Sequence, residues 1–369
     1  MVTRIINNLE IDINEKMANE IYLPEEFINS IEDFDGDIDT IKNKIYEWNN
    51  NITYFPLSIF WEITNRCCFS CPFCYINTKS AKRHEYETFD YMKSIIDKLI
   101  KRGMLFCTIS GGECMLHPEF VNIYRYLKQN GVLVSVFTNA ALINDDIINL
   151  FNEYKPYKVE VSIYGMTEDS FSNATLSNYN YESVLNNIEK LKEIGVWVRC
   201  KTPITSVTSK DIPIIRKWCK ENQIDFYTSD ELLPTYAGES VDQYRVDDEV
   251  FRKAVVSKEN ALRENCKHEF DYKKAWECSA GRYAGVISAD SSFYPCMSCV
   301  GIDKYKFEIH NNIENAIDAY ISVLNREKGK KLDFCVGCDK CDICEKCILS
   351  YEKDSVEEIR NNCEYLKKF

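Results

Sequence analysis

The 369-residue chain is 45% hydrophobic and 13% aromatic, enough to bury real cores in two or three domains. Its formal net charge of -13 argues against nucleic acid as a main partner, and no apolar run is long enough to span a bilayer. Eighteen cysteines do not suit the small secreted disulfide scaffold, so metal or cluster ligation in a reducing cell is the expectation. The opening residues lack the pattern of a secretory signal, which points to a cytoplasmic setting.

Residues 1–55 read as a small N-terminal extension. Strand-like runs over 2–13 precede helices at 23–31 and 39–48, the second carrying Ile41, Ile45 and Trp48 on one face. The run Leu57-Ser58-Ile59-Phe60-Trp61-Glu62-Ile63-Thr64 is short, bulky and partly β-branched, a buried strand. Cys67, Cys71 and Cys74 follow it in a C-x3-C-x2-C spacing. They lie on the loop leaving a strand's carboxyl end, where α/β barrels place their chemistry. Three thiols on one short loop cannot close a structural zinc site unaided. They can hold three corners of an iron–sulfur cube and leave one iron open. Phe73 would shield one face of it, and Cys68 reads as a packing residue.

Beyond this loop the chain alternates. A helix capped by Thr88 carries Phe89, Met92, Ile95, Ile96 and Leu99 at helical spacing. Strands are expected at 104–110, 132–138, 158–163, 196–202 and 224–227. Helices are expected at 118–130, after Asn144, and at 181–194 and 210–222. Six strands alternating with helices imply parallel pairing with right-handed crossovers. Six units do not close an eight-fold barrel, so the expected fold is an α/β, TIM-like, open (β/α)6 partial barrel over 56–230. The second strand ends in Gly111-Gly112-Glu113: glycines that let backbone approach a ligand, and a carboxylate that can accept from an amine. Thr138 and Asn139 end the third strand and Ser162 the fourth. Arg199 and Lys201 share one face of the fifth. Cys107, Cys200 and Cys219 fall in core positions. His117 reads as a helix-entry residue.

The cysteine spacing resembles the signature of the radical S-adenosylmethionine (radical SAM) family. The resemblance implies a [4Fe–4S] cluster on Cys67, Cys71 and Cys74 whose open iron is chelated by the methionine moiety of S-adenosyl-L-methionine. One electron passed to the sulfonium would release a 5′-deoxyadenosyl radical. Gly111, Gly112 and Glu113 resemble the family's GGE motif, which contacts the methionine amine; Cys114 replaces the usual proline. Thr138, Asn139 and Ser162 would bond the ribose and carboxylate of the cofactor, and either Arg199 or Lys201 would pair the methionine carboxylate. Residues 1–55 faintly resemble a precursor-peptide recognition element; the alternative is a cap on the barrel floor.

Residues 231–265 form a bridge, and composition shifts at Cys266. A β-hairpin with strands at 286–288 and 293–294 brings Cys278 and Cys296 towards one end. After a helix at 314–324 comes the ladder Cys335, Cys338, Cys341, Cys344, Cys347, then Cys363. Residues 266–369 resemble the SPASM extension, which binds two auxiliary [4Fe–4S] clusters. By order, Cys278, Cys296, Cys347 and, as fourth ligand, Cys299 would serve one cluster; Cys335, Cys338, Cys344 and Cys363 would serve the other. Zinc knuckles use similar steps, and metal content separates the two.

Enzymes of this resemblance act mostly on peptides. It implies an oxidoreductase that matures a ribosomally made precursor, with thioether formation as the expected outcome, and an external electron donor such as flavodoxin or ferredoxin. Alternatives are a peptide epimerase and a sulfatase-maturating, formylglycine-generating enzyme. Met297, where the latter carries an acid, counts against that one. From another class, a non-catalytic cysteine-rich metal-binding module stays open.

Overall fold

Period-two burial alternates with helical faces along most of the chain, and the computed structural model follows that alternation. It describes residues 57–79, 84–229, 232–246, 284–309 and 312–327. The expectations for 1–55, for 247–283 and for 328–369 lie outside the described residues. Six parallel strands run β1 (Ser58–Glu62), β2 (Phe106–Ser110), β3 (Leu133–Thr138), β4 (Lys158–Ser162), β5 (Val198–Pro203) and β6 (Asp225–Ser229). They form an open partial barrel, mostly parallel α/β.

Helices fill the crossovers. α1 (Phe89–Lys101) starts where the Thr88 side chain accepts from the Tyr91 amide and buries Met92, Ile95, Ile96 and Leu99. Each such side chain contributes about 1.5–3 kcal/mol of burial. α2 (Phe120–Gln129) begins two residues later than Pro118 suggested, because Cys114–Leu116 first makes a 3₁₀ turn ending at His117. α3 (Asp145–Glu153) is capped by Asn144, and α5 (Tyr181–Glu193) and α6 (Ile212–Glu221) fall where expected. α4 (Glu168–Thr175) was not expected. It is short, with a Thr167–Ser170 capping box and few apolar positions.

The hairpin β7 (Ala284–Ile287) and β8 (Ser292–Tyr294) is antiparallel, as expected, and β9 (Phe307–Glu308) extends it. Its placement was not expected: β7 pairs in parallel with β1, Ser58 opposite Ala284. Among the described residues this gives one sheet of order β6-β5-β4-β3-β2-β1-β7-β8-β9. α7 (Ile313–Glu327) packs under the hairpin, with Tyr320 edge-on to Phe293 and Phe307. No helix among the described residues is long and apolar enough to cross a membrane.

Candidate functional site

The first strand ends buried and delivers its loop to the sheet's carboxyl edge. The loop is pinned at several points. Ser70 N donates to Thr175 O at 2.8 Å, and Cys74 N donates to Cys71 O at 3.2 Å. Phe69 is buried edge-on to Phe171, Tyr179 and Tyr164. This anchoring turns Cys67, Cys71 and Cys74 towards one cavity of about 310 Å³, which Phe73 also lines.

The second strand's loop is stitched to the first. Gly112 N donates to Thr64 O and Glu113 N to Arg66 O, both at 2.8 Å. A Cβ on Gly111 would lie 2.3 Å from Thr64 O, and one on Gly112 would lie 2.4 Å from Arg66 O. Both glycines line the cavity, and the close approach they permit is to the thiol loop's own backbone.

Glu113 is fully buried and is not on the cavity wall. Its carboxylate accepts from Thr138 Oγ1 at 2.8 and 3.0 Å, from Asn139 N at 2.8 Å and from Met115 N at 3.3 Å. Burial pushes its carboxyl up, against the pull of these donors. Glu113 thus holds Thr138 and Asn139, which do line the cavity, as does Ser162.

The fifth strand separates its two cations. Lys201 lines the cavity, 3.6 Å over the Phe137 ring and 3.4 Å from Glu160. Burial lowers its amine to about 8, although Glu160 opposes the shift. Burial pushes Glu160 up, but Lys201, Lys158 and Arg199 outweigh it and hold the carboxyl below its usual range. Arg199 is off the cavity wall, beside Trp197 and Tyr227. Of the two candidates for a cofactor carboxylate, only Lys201 is placed to reach one from the cavity.

The thiols differ in surroundings. Burial pushes Cys71 and Cys74 up, while amides of Ile76, Asn77 and Thr78 pull Cys74 back down. Cys67 is raised by its hydrogen bond with Cys68, and the same bond lowers Cys68. Cys68 packs on the core, as expected, but also takes a bond from Asn139. It does not line the cavity, which leaves Cys67 as the first thiol of the trio.

Residues 61–209 match the radical SAM superfamily. That stretch is a radical SAM domain. The chain is 23% identical over 333 residues to the antilisterial bacteriocin subtilosin biosynthesis protein AlbA of Bacillus subtilis, covering 85% of this chain and 71% of AlbA. It is 22% identical to the sporulation killing factor maturation protein SkfB of the same species, spanning 66% of this chain and 61% of SkfB. Its fold is similar to Streptococcus suis SuiB, solved with its precursor peptide SuiA, at a TM-score of 0.64 and 17% identity, over 88% of this chain and 80% of SuiB. It is also similar to anSMEcpe, solved with AdoMet and a peptide, at 0.58 and 17%, over 85% of this chain and all of that one (100%).

The superfamily uses a [4Fe–4S] cluster and S-adenosylmethionine. The radical SAM trio fits a cluster. A closed site for one ion needs four ligands, and three thiols line the cavity. A cube that takes one thiolate per iron can be held by three. All three thiols open on one space, and Cys67 and Cys74 already receive amide donors from Phe69 and from Ile76, Asn77 and Thr78. Polar groups for a nucleoside and an amino acid, Thr138, Ser162 and Lys201, line the same space, and so does Asn139.

The roles of Glu62, Tyr75, Tyr164 and Tyr236 went unnoticed in the sequence. Tyr75 lines the cavity and bonds the buried Glu62 carboxylate, which also accepts from Tyr236. Glu62 is visible as the one charge in an apolar strand run, and that signal could have found it. Tyr164 covers Phe73 at 5.6 Å. His117 is buried, its Nδ1 accepts from Glu119 N at the entry of α2, and burial lowers it to about 4. In the hairpin Cys296 and Cys299 sit 3.6 Å apart, and the bond from Cys299 lowers Cys296 to about 7. Cys278, Cys335, Cys338, Cys344, Cys347 and Cys363 lie outside the described residues.

Proposed function

We propose that this radical SAM enzyme matures a ribosomally made peptide, joining a cysteine sulfur to a carbon of the same peptide. The observation that carries the reading is the single cavity shared by three thiols and the polar strand ends. The names of AlbA and SkfB, and the precursor peptide bound to SuiB, support a peptide as the substrate class.

In this reading residues 56–230 are the radical SAM barrel. Cys67, Cys71 and Cys74 hold its cluster, and residues 266–369 are a SPASM domain with two auxiliary clusters, Cys296 and Cys299 contributing to one. When bound, the cluster and S-adenosylmethionine together supply a carbon-centred radical able to take hydrogen from an unactivated carbon. The chain positions and shields. Phe73, Tyr164, Phe137, Leu232 and Leu233 present apolar surface to the cavity, which would disfavour water beside a radical. Lys201 supplies a cation for a carboxylate, and Thr138 and Ser162 supply hydroxyls.

Forming a thioether removes two hydrogens. One leaves the carbon as an atom; the thiol gives up a proton, and the remaining electron needs an acceptor. An auxiliary cluster held by residues 266–369 would take it, and an external one-electron donor such as flavodoxin or ferredoxin would start the cycle. The test is anaerobic incubation of reduced enzyme and S-adenosylmethionine with a cysteine-bearing precursor peptide. A product lighter by two hydrogens, with its new bond at a cysteine, is expected. Unchanged mass with deuterium uptake from heavy water would instead mean epimerisation. A formylglycine product would mean sulfatase-type maturation, and no 5′-deoxyadenosine at all would leave a metal-binding module.

A further inference from the structure

Asn139 is committed elsewhere than a nucleoside-binding role would require. Its Oδ1 accepts from Ala141 N at 3.0 Å, which fixes the other end of the side chain as the amide donor. That donor, Nδ2, points at the thiol loop, 3.2 Å from Cys68 Sγ and 3.7 Å from Cys67 Sγ.

The surroundings hold this aim. Asn139 N donates to Glu113 at 2.8 Å, Ala140 N donates to Thr138 Oγ1 at 2.9 Å, and Ala140 O accepts from Asn187 Nδ2 at 2.9 Å. Ala140 has φ 60°, a left-handed conformation that a non-glycine residue keeps only where its neighbours enforce it. The carboxylate of the Gly-Gly-Glu turn therefore works through the third strand's end, aiming one N–H at the first thiol of the trio.

We propose that Asn139 is a positioning residue that makes the cluster on Cys67, Cys71 and Cys74 easier to reduce. The proposal rests on the reading that this trio holds a cluster. Reduction adds negative charge, which spreads onto the ligand sulfurs. A fixed N–H beside one of them stabilises the reduced state, and hydrogen bonds to sulfur are among the determinants of cluster potential. The amide's shorter bond is to Cys68, at 3.2 Å, which holds Nδ2 at 3.7 Å from Cys67 and so weakens the effect there.

The test is a redox titration of the anaerobically reconstituted enzyme. It follows the paramagnetic signal that responds to S-adenosylmethionine, which singles out the open-iron cluster. Asn139→Leu, of similar size without the donor, should lower the reduced-to-oxidised ratio at fixed potential by about tenfold, equivalent to about 59 mV for one electron. Cys68→Ala, which frees the donor for Cys67, should move the midpoint the other way. A purely structural Asn139 would lower iron content without moving the midpoint of what assembles. Wild-type midpoints in both assembled variants overturn the proposal. If Asn139→Leu fails to assemble, Cys68→Ala decides alone: a positive shift supports the proposal and no shift overturns it. If the wild-type enzyme takes up no cluster, the cluster reading fails and this inference with it.

Discussion

Tyr236 holds both the first strand and the thiol loop: its hydroxyl donates to Glu62 Oε1 at 2.6 Å, and its amide donates to Tyr75 O at 2.8 Å. Its own carbonyl lies where any side chain on Gly301 would stand, 2.2 Å from that Cβ. One tyrosine therefore ties the residue after Cys74 to the turn after Cys299. Tyr236→Phe keeps the ring and removes one bond to a buried carboxylate, so it should cost about 1–3 kcal/mol in a denaturant melt. Tyr236→Ala also opens a void and should cost about 3–5 kcal/mol. Equal stability of Tyr236→Phe and wild type would show that the hydroxyl bond adds nothing.

The stitched glycines give a second expectation. Gly112→Ala drives a methyl into the Arg66 carbonyl, which is backbone and cannot swing away. We expect a loss of about 1–3 kcal/mol and a fall in iron bound by the trio. Gly238 serves as the control. Its φ is 82° but nothing lies within 4 Å of an added Cβ, so Gly238→Ala should cost about 1–2 kcal/mol and leave iron uptake intact. Iron per chain, measured beside the melt, separates the two cases.

Lys201 and Arg199 differ by position alone. Because Lys201 lines the cavity and Arg199 does not, Lys201→Met should weaken S-adenosylmethionine binding by about tenfold or more, the worth of one charge-assisted bond. Arg199→Met should weaken it by less than about threefold. Equilibrium dialysis of the two variants, side by side, would reverse the assignment if the order came out inverted.

Lys128 on α2 is buried, and burial alone lowers its amine from 10.5 to about 7. Between those values the unfolded chain holds a proton that the folded chain lacks, so stability should rise as pH climbs from about 7 towards 10. Below pH 7 both states are protonated and this slope vanishes. Lys128→Met should remove the slope and be more stable than wild type at pH 7. Melts at pH 7 and pH 9 check it, and parallel pH responses of the two proteins would refute it.

Replacing Cys67, Cys71 and Cys74 with alanine while sparing Cys296 and Cys299 should abolish formation of 5′-deoxyadenosine. Turnover that survived this triple change would remove the basis of the proposed function.

Much of this was legible in the sequence, and the reasons are local. Thr88 and Asn144 announced their helices because a cap is a contact between near neighbours. The strands at 106–110 and 133–138 declared themselves by apolar runs. α4 did not, because Phe171, Ala174 and Thr175 alone are buried along it. The pairing of β1 with β7 joins segments that share no local signal, and pairing partners are not written in either strand. The trio of thiols could be read from spacing. The inward turn of Glu113 could not, since a strand-end carboxylate shows its chemistry in sequence but not its direction. Only Thr138 and Asn139, from the next strand, make that direction visible.

The first strand is flanked on one side by β2 and on the other by β7, which starts at Ala284. A ribosome adding about 5–20 residues per second leaves that second flank bare for roughly 10–40 s after the strand emerges. The strand that leads into the thiol loop thus waits for its second neighbour until most of the chain has been made. A fragment ending before residue 284 is consequently no smaller enzyme: it displays an uncapped row of amides and carbonyls, a template for sticking to its own kind.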